Sequence, residues 1–507
     1  MFKLIALFLF ISFICSAQTY YIDSISGKDT YVGTSTLKPW KTIKKVNSMP
    51  PKAGDFYLFK KGGSWKETLN VFYSGTEAQP IIYGAYGTGA APILNGEYLR
   101  ETSINIYLAK NIIIQDMSII NTGVNQGPAI SLLGTTYVQL KRLELANNKG
   151  YGAIMLAADE TSGGGNNNLI QDCSIHNTTG TATTIANRNY GVGIFAWGSD
   201  KKSTITNNQI IRNTIYKNGT GTNFYNAANN LFQGNIIYQN EDHGINFAGT
   251  YVESNMIERN TVYENAQKRD DTCGINLFRV GNNNTVRYNT IYREHDTFND
   301  GNIQANPGYP NKYGSCGIRF DGGDPSLGVG NDFVGDKTGN KIYYNKIYDE
   351  YIGIEDFNFA NIEVYNNVFY NSTFLGIEFS SYNTNNYPIS GSKFKNNIVS
   401  GSKKYHIFVP DATLKLMEIS NNTYYPDGLD KFVYNQSLQT TNFSNWKTLT
   451  NYDTFSSFLT DPLFITPYDF HLQTTSPCMK TGIYVGIDKD FDGNIVLLNV
   501  EQGVYEY

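Results

Sequence analysis

Six short segments of the chain begin with Gly-Ile, and the residue after the isoleucine is often one that could do chemistry. The segments are GIFA, GINF, GINL, GIRF, GIED and GIEF. Neighbouring side chains of a β-strand point to opposite faces, so an inward isoleucine places the next residue outward. If these strands stack on one another, the outward residues form one column: Phe195, Asn246, Asn276, Arg319, Glu355 and Glu378.

Further ionisable side chains lie next to this column in the sequence. They are His243, Asp271, Arg279, Asp321 and Asp356. Only 17% of the residues are charged, so few stretches concentrate ionisable groups in this way. The same region carries two long segments, 294–315 and 321–340, and long loops on a rigid scaffold commonly form its binding face. We therefore expect a cleft beside the column.

Paired carboxylates in such a cleft favour glycoside hydrolysis. That reaction uses two carboxyl groups about 5 to 5.5 Å apart for retention, or about 6.5 to 9.5 Å apart for inversion. Stacked strands lie about 4.8 Å apart, so adjacent rungs give the first spacing and next-but-one rungs approach the second. The candidate catalytic residues are Asp321, Glu355, Asp356 and Glu378. Asp356 follows Glu355 directly, so it faces inward or lies in a bend if the alternation is strict.

Other polar and aromatic side chains near the column are candidates for binding the substrate. Arg319 suits a carboxylate or sulfate group on a polymer, because guanidinium groups bind such anions with paired hydrogen bonds. Trp197 could stack on a sugar ring. The remaining candidates are His243, Asn246, Asn276, Asp271 and Arg279.

Two other functions remain open at this point. A polyuronate lyase would use Arg319, Arg279 or His243 as base or neutralising cation, with Ca²⁺ a possible cofactor held by Asp270, Asp271 or Asp321. No lysine falls in the outward column, which disfavours a lyase with a catalytic lysine. A non-enzymatic glycan-binding or surface protein would use the same cleft without a matched acid and base. The charges would then be a solvated ladder, and His243 an ordinary turn residue.

The elements that position these residues follow from a repeat. From about residue 168 the chain repeats a pattern of apolar residue, two variable residues, Asn, one variable residue and an apolar residue, often followed by Tyr. The repeated asparagines are Asn213, Asn235, Asn260, Asn289, Asn345, Asn367, Asn397 and Asn422. Weaker copies place Met117, Leu143 and Cys173 at the same point. The unit is too short for a pair of helices, and its Ile, Val, Tyr and Thr residues favour strands.

A coil of short stacked strands accounts for these features together, so we predict an all-β fold, a right-handed parallel β-helix of about eleven turns. The asparagines would stack at an inward turn, with their amides bonded to one another. We expect one domain over residues 18–507. It comprises an N-terminal cap and first turns (18–100) with a short helix from Thr42 to Asn47, the repeats (101–426), and a C-terminal cap (427–507). An end helix would protect open strand edges.

Composition and the N-terminus limit the functional classes. The net charge is −5, which argues against a nucleic-acid partner. Lys3, an apolar run from Leu4 to Cys15 and the small residues before Gln18 predict a signal peptide over 1–17. No later segment is apolar enough for a membrane span. We expect a monomer that is secreted, periplasmic or held at the cell surface, with a polysaccharide as its partner.

Two smaller signals concern cysteines and a possible calcium loop. Cys273 and Cys316 each precede the glycine of consecutive Gly-Ile strands, so stacking places them within disulfide range or as a pair of thiols. Cys173 should be buried in the ladder. Asp488, Asp490, Asp492 and Gly493 match the start of a calcium loop, but Asn499 stands where the bidentate Glu is needed. A tight turn is therefore the better interpretation.

The chain as a whole resembles the secreted right-handed β-helix proteins of the pectate-lyase-like superfamily. The resemblance is carried by the opening motifs GDFYLFKKGGSW and PIIYGAYG, the Asn-x-Ile-Tyr repeats and the ending DFHLQTTSPCMKTG. It implies the β-helix fold, export and action on a polysaccharide. These motifs are shared by lyases, glycoside hydrolases and epimerases, so the resemblance implies no particular catalytic residue.

Overall fold

The chain winds into a parallel β-helix with three long sheets, seen in a computed structural model. The structure describes residues 17–159, 161, 163–180, 191–199, 204–267, 272–294, 315–323, 337–380, 390–409, 417–426, 428, 430–434, 439–456 and 460–506. Each turn passes through the sheets in the same order, here numbered 1, 2 and 3, which have 14, 13 and 14 strands. The predicted all-β solenoid is confirmed.

The strands are short and recur at the same three places in every turn. Sheet 1 consists of Thr19–Ile22, Phe56–Lys60, Ile81–Tyr86, Lys110–Gln115, Thr136–Lys141, Leu169–Gln171, Gln209–Ile211, Leu231–Gln233, Met256–Glu258, Thr285–Arg287, Lys341–Tyr343, Glu363–Tyr365, Lys393–Lys395 and Glu418–Ser420. Sheet 2 consists of Ser64–Trp65, Ile93–Asn95, Ser118–Ile120, Glu144–Ala146, Ser174–His176, Thr214–Tyr216, Ile236–Tyr238, Thr261–Tyr263, Thr290–Tyr292, Lys346–Tyr348, Val368–Tyr370, Ile398–Ser400 and Thr423–Tyr425. Sheet 3 consists of Leu69–Val71, Ile104–Tyr107, Ile130–Leu133, Gly152–Ala157, Val192–Trp197, Thr220–Tyr225, Ile245–Ala248, Cys273–Phe278, Cys316–Asp321, Ile352–Phe357, Leu375–Ser380, Tyr405–Val409, Phe432–Tyr434 and Gln439–Thr441.

Sheet 2 has 13 strands, two more than the eleven turns that the repeat predicts. Its first two strands, Ser64–Trp65 and Ile93–Asn95, follow Gly63 and Pro92 rather than an Asn or an apolar residue. The pattern is therefore invisible in these turns although the strands pair in parallel. The described residues form three short helices. They are the α-helices Ile43–Asn47 and Phe443–Thr450 and the 3₁₀-helix Val124–Gln126. None of these helices is long and apolar enough to cross a membrane.

Both α-helices pack buried apolar side chains against the solenoid. The predicted N-terminal helix is present as Ile43–Asn47, where the Thr42 hydroxyl accepts a hydrogen bond from the Lys45 amide. In the segment 427–507, Phe443 and Trp446 of the second helix pack on Phe432 of sheet 3. Residues 460–506 also form two short antiparallel strands, Phe464–Thr466 and Asp469–Leu472. Their apolar side chains pack on the outer tyrosines of sheets 1 and 2. One further parallel pair joins Ile205–Thr206 to Ala227–Ala228.

The Gly-Ile signature of sheet 3 has a steric cause. The isoleucines lie in the fully buried core. A Cβ atom on Gly193, Gly221 or Gly353 would lie only 2.3 to 2.5 Å from the carbonyl oxygen of the equivalent glycine in the next turn. At these three glycines a side chain is therefore excluded, because the backbones of successive turns approach too closely.

Buried asparagine ladders at the boundaries of the sheets hold the turns in register, and the described part of the chain has three such ladders rather than one. The predicted ladder runs from Asn213 to Asn422 between sheets 1 and 2. A second ladder precedes sheet 1, and a third separates sheets 2 and 3; they contain Asn208 and Asn218. In one turn these residues are five positions apart, a spacing that the sequence also shows in Asn230, Asn235 and Asn240.

We expect Asn235→Leu to reduce the free energy of unfolding by about 4 kcal/mol, since buried polar groups left without partners cost about 1 to 3 kcal/mol each. The Asn235 Oδ1 accepts hydrogen bonds from Asn213 N and Nδ2, while its Nδ2 donates to Ile210 O and Asn260 Oδ1. Urea unfolding measures the change. Asn105→Leu, on the half-exposed outer face of sheet 3, should cost less than about 1 kcal/mol and serves as the control.

The tyrosine of the repeat forms a stack on the outer face of sheet 2. Successive ring centroids of Tyr216, Tyr238, Tyr263, Tyr292 and Tyr348 are 4.9 to 5.0 Å apart, with the planes within 3° of parallel. Each inner ring is covered on both faces by its neighbours. The stack therefore stabilises the solenoid, and its ring faces are not free to bind a sugar.

Candidate active site

A buried ion pair lies at the centre of the predicted outward column. The Arg319 Nε and Nη2 atoms are 2.7 and 2.6 Å from Glu355 Oε2 on the next turn. Arg319 is 4% exposed and Glu355 is 7% exposed. The β-sheet register pairs the two residues directly, as stacking of the Gly-Ile strands predicts. Charges with so little contact with water interact more strongly than charges at an open surface.

Two further carboxylates share this outer face. Glu378 pairs in register with Glu355 on one side and with Phe408 on the other, and it is buried. Asp321 lies two residues beyond Arg319 on the same strand, and its Oδ1 accepts a hydrogen bond of 2.6 Å from the Gly323 amide. Three of the four predicted catalytic carboxylates therefore lie on the outer face of sheet 3 that carries Arg319.

The fourth carboxylate, Asp356, does not lie on this face. Asp356 is fully buried and pairs in register with Phe320 and Phe379, both in the core. The placement of Asp356 beside the outward column is therefore wrong, and strict alternation after Glu355 is the reason. Burial raises the pKa of Asp356 well above its usual range.

Of the predicted binding residues, His243 lies in a buried turn. It is 1% exposed, and its Nδ1 accepts a hydrogen bond of 2.9 Å from the Cys273 amide. Its Nε2 lies 3.7 Å from Asp242 Oδ1. These contacts correspond to a turn residue that holds the next strand, so His243 does not face the outer surface with Arg319.

The predicted asparagines form a short ladder on the outer face of sheet 3. The Asn246 amide donates to Asn223 Oδ1 at 2.9 Å, and the Asn276 amide donates to Asn246 Oδ1 at 2.7 Å. Asn276 pairs in register with Arg319, so the ladder runs directly into the charged cluster. Asn223 was not predicted, because its strand reads Gly-Thr instead of Gly-Ile.

Arg279 directly follows the strand Cys273–Phe278 of sheet 3. The Arg279 guanidinium lies 4.5 Å over the Phe278 ring. It occupies the space that a side chain at Gly323 would need, because a Cβ there would lie 2.4 Å from Arg279 Nε. Arg279 thus packs against the residues that follow Asp321. Asp271, and Asp270 before it, lie outside the described residues.

Trp197 is one half of an exposed aromatic pair. Its ring stacks on Tyr225 with centroids 4.8 Å apart and planes 12° from parallel, and the two side chains are 39% and 37% exposed. They pair in register with Ala248, Phe278 and Asp321 in a second outward column, two residues beyond the column of Arg319. Trp197 therefore lies four turns from Asp321, or about 19 Å at 4.8 Å per turn. Tyr225 was not predicted, because its strand Thr220–Tyr225 lacks the Gly-Ile pattern.

Cys273 and Cys316 form a disulfide on adjacent turns of the same sheet, with Cα atoms 4.5 Å apart. Cys173 and Cys478 are free and buried, and burial raises the pKa of Cys173 to about 12. One set of side chains in the described part of the chain is compact enough for a metal ion: Cys273, Cys316 and Glu355, whose ligand atoms lie within 4.8 Å of one another. Two of its three members are joined in the disulfide, so this set does not fit a metal.

The residues suggested for Ca²⁺ fall into two groups. Asp321 is described and is bonded to the Gly323 amide, whereas its proposed co-ligands Asp270 and Asp271 are not described. The calcium-like motif near the C-terminus forms the predicted tight turn. The buried Asp490 accepts hydrogen bonds from the backbone and side-chain nitrogens of Asn494, and Gly493 has a φ of 91°. These bonds use both Asp490 oxygens to close the turn.

Comparison with known proteins is consistent with this architecture. The family model described as right handed beta helix region matches residues 103–333. Lacto-N-biosidase of Bifidobacterium longum subsp. longum is 36% identical over 76 residues, which are 14% of this chain and 5% of that protein. The match thus spans a small part of that relative.

Solved structures resemble the chain at low sequence identity. The GH136 lacto-N-biosidase from Eubacterium ramulus superposes with a TM-score of 0.44 and 15% identity, over 83% of this chain and 66% of that one. A PL6 family polysaccharide lyase from Pseudopedobacter saltans superposes with a TM-score of 0.52 and 16% identity, over 76% of this chain and 91% of that one. The chain folds as a right-handed parallel β-helix, as its repeats predict.

Proposed function

We propose that this protein is a secreted enzyme that hydrolyses glycosidic bonds of an extracellular, anionic polysaccharide. The observation that carries the proposal is the buried Arg319–Glu355 ion pair with Glu378 on the adjacent turn of the same face. Glycoside hydrolysis requires two carboxyl groups in different protonation states close to one bond. A mostly buried cluster of one guanidinium and two glutamates supplies such a pair.

The surroundings of the two glutamates suggest their roles. Arg319 holds Glu355 in its ionised form, which suits the nucleophile or base. Glu378, on the adjacent turn of the same face, supplies the second carboxyl group, which acts as the acid. Adjacent strands are about 4.8 Å apart, close to the carboxylate separation of about 5 to 5.5 Å in retaining enzymes. We therefore infer retention of configuration.

The neighbouring side chains are suited to binding a charged polymer. Asp321, Asn246 and Asn276 can bond sugar hydroxyl groups, while Arg279 offers a cation beyond the Arg319 pair. Two enzymes whose names denote cleavage of saccharides share a sequence segment or the fold with this chain, and this supports a carbohydrate substrate. Asp271, which lies outside the described residues, stays a prediction as a substrate-binding residue because it is next to the column in the sequence.

A polyuronate lyase is the second candidate, because Arg319 and Arg279 could neutralise a uronate carboxylate during β-elimination. Hydrolysis is favoured over an elimination that uses a lysine base. No lysine occurs on the outer face of the sheet 3 strands from Thr220–Tyr225 to Leu375–Ser380, all of which are described.

Incubation with a panel of anionic polysaccharides tests the proposal. Hydrolysis predicts new reducing ends without a rise in absorbance near 235 nm, where unsaturated uronates absorb. A matching rise at that wavelength would show a lyase instead. Binding to the same polysaccharides without any new reducing ends would contradict an enzyme and favour a glycan-binding protein.

We expect Trp197→Ala to raise KM about ten-fold and to leave kcat within two-fold. Stacking of an aromatic ring on a sugar contributes to binding of the ground state and the transition state alike, and Trp197 lies about 19 Å from Asp321. Steady-state kinetics on the polymer measures both constants. Tyr107→Ala is the matched control: Tyr107 occupies the same outward column three turns further away and is equally exposed at 39%. An equal KM change in both variants would contradict the assignment.

A further inference from the structure

A cavity of about 410 Å³ lies on a different face of the solenoid from the candidate active site. Its floor is the outer face of sheet 1, at the strands Met256–Glu258, Thr285–Arg287 and Lys341–Tyr343. Its other wall is the segment 486–489 of the C-terminal region. The volume is at the small end of the range for ligand sites, about 300 to 1,000 Å³.

Cationic side chains outnumber carboxylates in the lining of this cavity. The four cations are Arg259, Arg287, Lys341 and Lys489, and the two carboxylates are Glu258 and Asp488. Arg287 belongs to the floor: its Nε and Nη2 bind Glu258 Oε2 at 2.7 and 2.6 Å, and its Nη1 donates to Tyr343 Oη at 2.9 Å. Lys341 lies 3.4 Å from Glu363. Arg259 and Lys489 are exposed, the first on the solenoid and the second in the C-terminal segment.

The walls of the cavity are fixed in place. The Arg259 guanidinium lies 5.0 Å over the Tyr288 ring, and its Nη1 donates to Phe491 O at 3.3 Å. The Tyr288 hydroxyl donates to Lys489 O at 2.8 Å. Both bonds join the C-terminal segment to the solenoid. A site whose walls are already ordered binds a ligand with less loss of entropy.

We propose that this cavity binds an acidic saccharide, as a second glycan site separate from the one on sheet 3. A carboxylate of the sugar lies between Arg259 and Lys489, where charge-assisted hydrogen bonds hold it. The Asp488 carboxylate accepts hydrogen bonds from sugar hydroxyls, which a simple inorganic anion does not offer. Donors, acceptors and a tyrosine wall together suit a polyhydroxylated anion better than an inorganic one.

Ligand-detected NMR with the full chain tests this site without use of the enzyme's activity. The probes are sodium D-glucuronate, D-glucose and sodium sulfate, each titrated separately. We expect saturation transfer to glucuronate, at least ten-fold weaker binding of glucose, and no displacement of glucuronate by equimolar sulfate. Arg259→Gln and Lys489→Gln should each weaken glucuronate binding about ten-fold.

Arg212→Gln is the matched control for the arginine. Arg212 follows a sheet 1 strand two turns earlier, at the same left-handed backbone position as Arg259, and pairs with Asp172 outside the cavity. Retained binding in Arg212→Gln with loss in Arg259→Gln supports the proposal. Absence of glucuronate binding, equal binding of glucose, full displacement by sulfate, or equal loss in both arginine variants would each overturn it.

Discussion

Glu355→Gln is expected to reduce cleavage of the polysaccharide at least about 10³-fold. A glutamine keeps the shape of the side chain but is neither a nucleophile nor a base, and a positioned acid or base contributes about 10² to 10⁴ to a rate. The expected loss is in kcat, because the carboxylate acts on the bond that breaks. The rate of reducing-end formation on the polymer identified by the panel measures it.

Loss of folding must be separated from loss of chemistry in this variant. Removing the Glu355 charge breaks its buried ion pair with Arg319, and breaking a buried pair costs about 3 to 5 kcal/mol. The double variant Arg319→Met with Glu355→Gln removes both charges and should unfold at a higher urea concentration than Glu355→Gln alone, yet stay inactive. A folded variant that keeps more than a tenth of the activity would contradict the assigned role.

Glu363→Gln is the matched control for this glutamate. Glu363 also lies on the outer side of a sheet strand, between Lys341 and Lys393 at 3.4 and 3.3 Å, but on sheet 1. Its ion pairs are partly exposed, so their loss should change stability by about 1 kcal/mol or less. We expect normal kcat and KM in this variant. A parallel loss of activity would show that the effect of Glu355→Gln is not specific.

The turns of the solenoid are predictable from the sequence wherever stacking forces one residue type on one position. The repeated asparagines beginning at Asn213 bond to their equivalents in the next turn, so the ladder leaves a periodic signal. The glycines of consecutive Gly-Ile strands do the same, because a Cβ at Gly193 or Gly353 would meet the backbone of the next turn. Turns closed by other residues, such as Gly63 and Pro92, leave no such signal. These are the turns that a count of asparagines omits.

The candidate site was predictable where strand alternation and stacking act together. They place Arg319, Glu355 and Glu378 in one column, which the structure shows. They also place Asp356 in the core, but residue type alone made this carboxylate look like a surface residue. Strand alternation does not place His243, which lies in a turn. Its ring accepts a hydrogen bond from the Cys273 amide of the next turn. Buried polar residues that satisfy the backbone are difficult to distinguish from functional ones in a sequence.

Glu294→Gln is expected to make the stability of the protein less dependent on pH. Glu294 and Glu350 occupy the third ladder, where earlier turns have Asn240 and Asn265, and both are fully buried. The Asn265 amide and side chain donate to the Glu294 carboxyl, and the Glu294 amide donates to Glu350 Oε2 at 3.2 Å. Burial raises the pKa of Glu294 to about 8, and burial with the nearby Glu294 raises that of Glu350 well above its usual range.

The sign of the effect follows from where the proton is bound. An unfolded Glu294 releases its proton near pH 4.5, whereas the folded one keeps it to about pH 8. The stability that the protonated form contributes is fully present below pH 4.5 and is lost as the pH rises to 8. The loss is on the order of 4 kcal/mol. Glutamine stays neutral throughout, so the variant should exceed the wild type in stability at pH 8 but not at pH 4.5.

Urea unfolding at several values of pH between 4.5 and 8 tests this expectation. The urea midpoint of the wild type should fall across the range, and Glu294→Gln combined with Glu350→Gln should remove most of that fall. Glu363→Gln should keep the wild-type slope, because its carboxylate is paired at the surface. If the double variant loses stability with pH as steeply as the wild type, the two glutamates are not protonated in the folded ladder. A fall in stability of the double variant at every pH would instead mean that the ladder requires the carboxyl groups themselves. Glutamine replaces the O–H group of a protonated glutamate by an NH2 group and keeps the other oxygen.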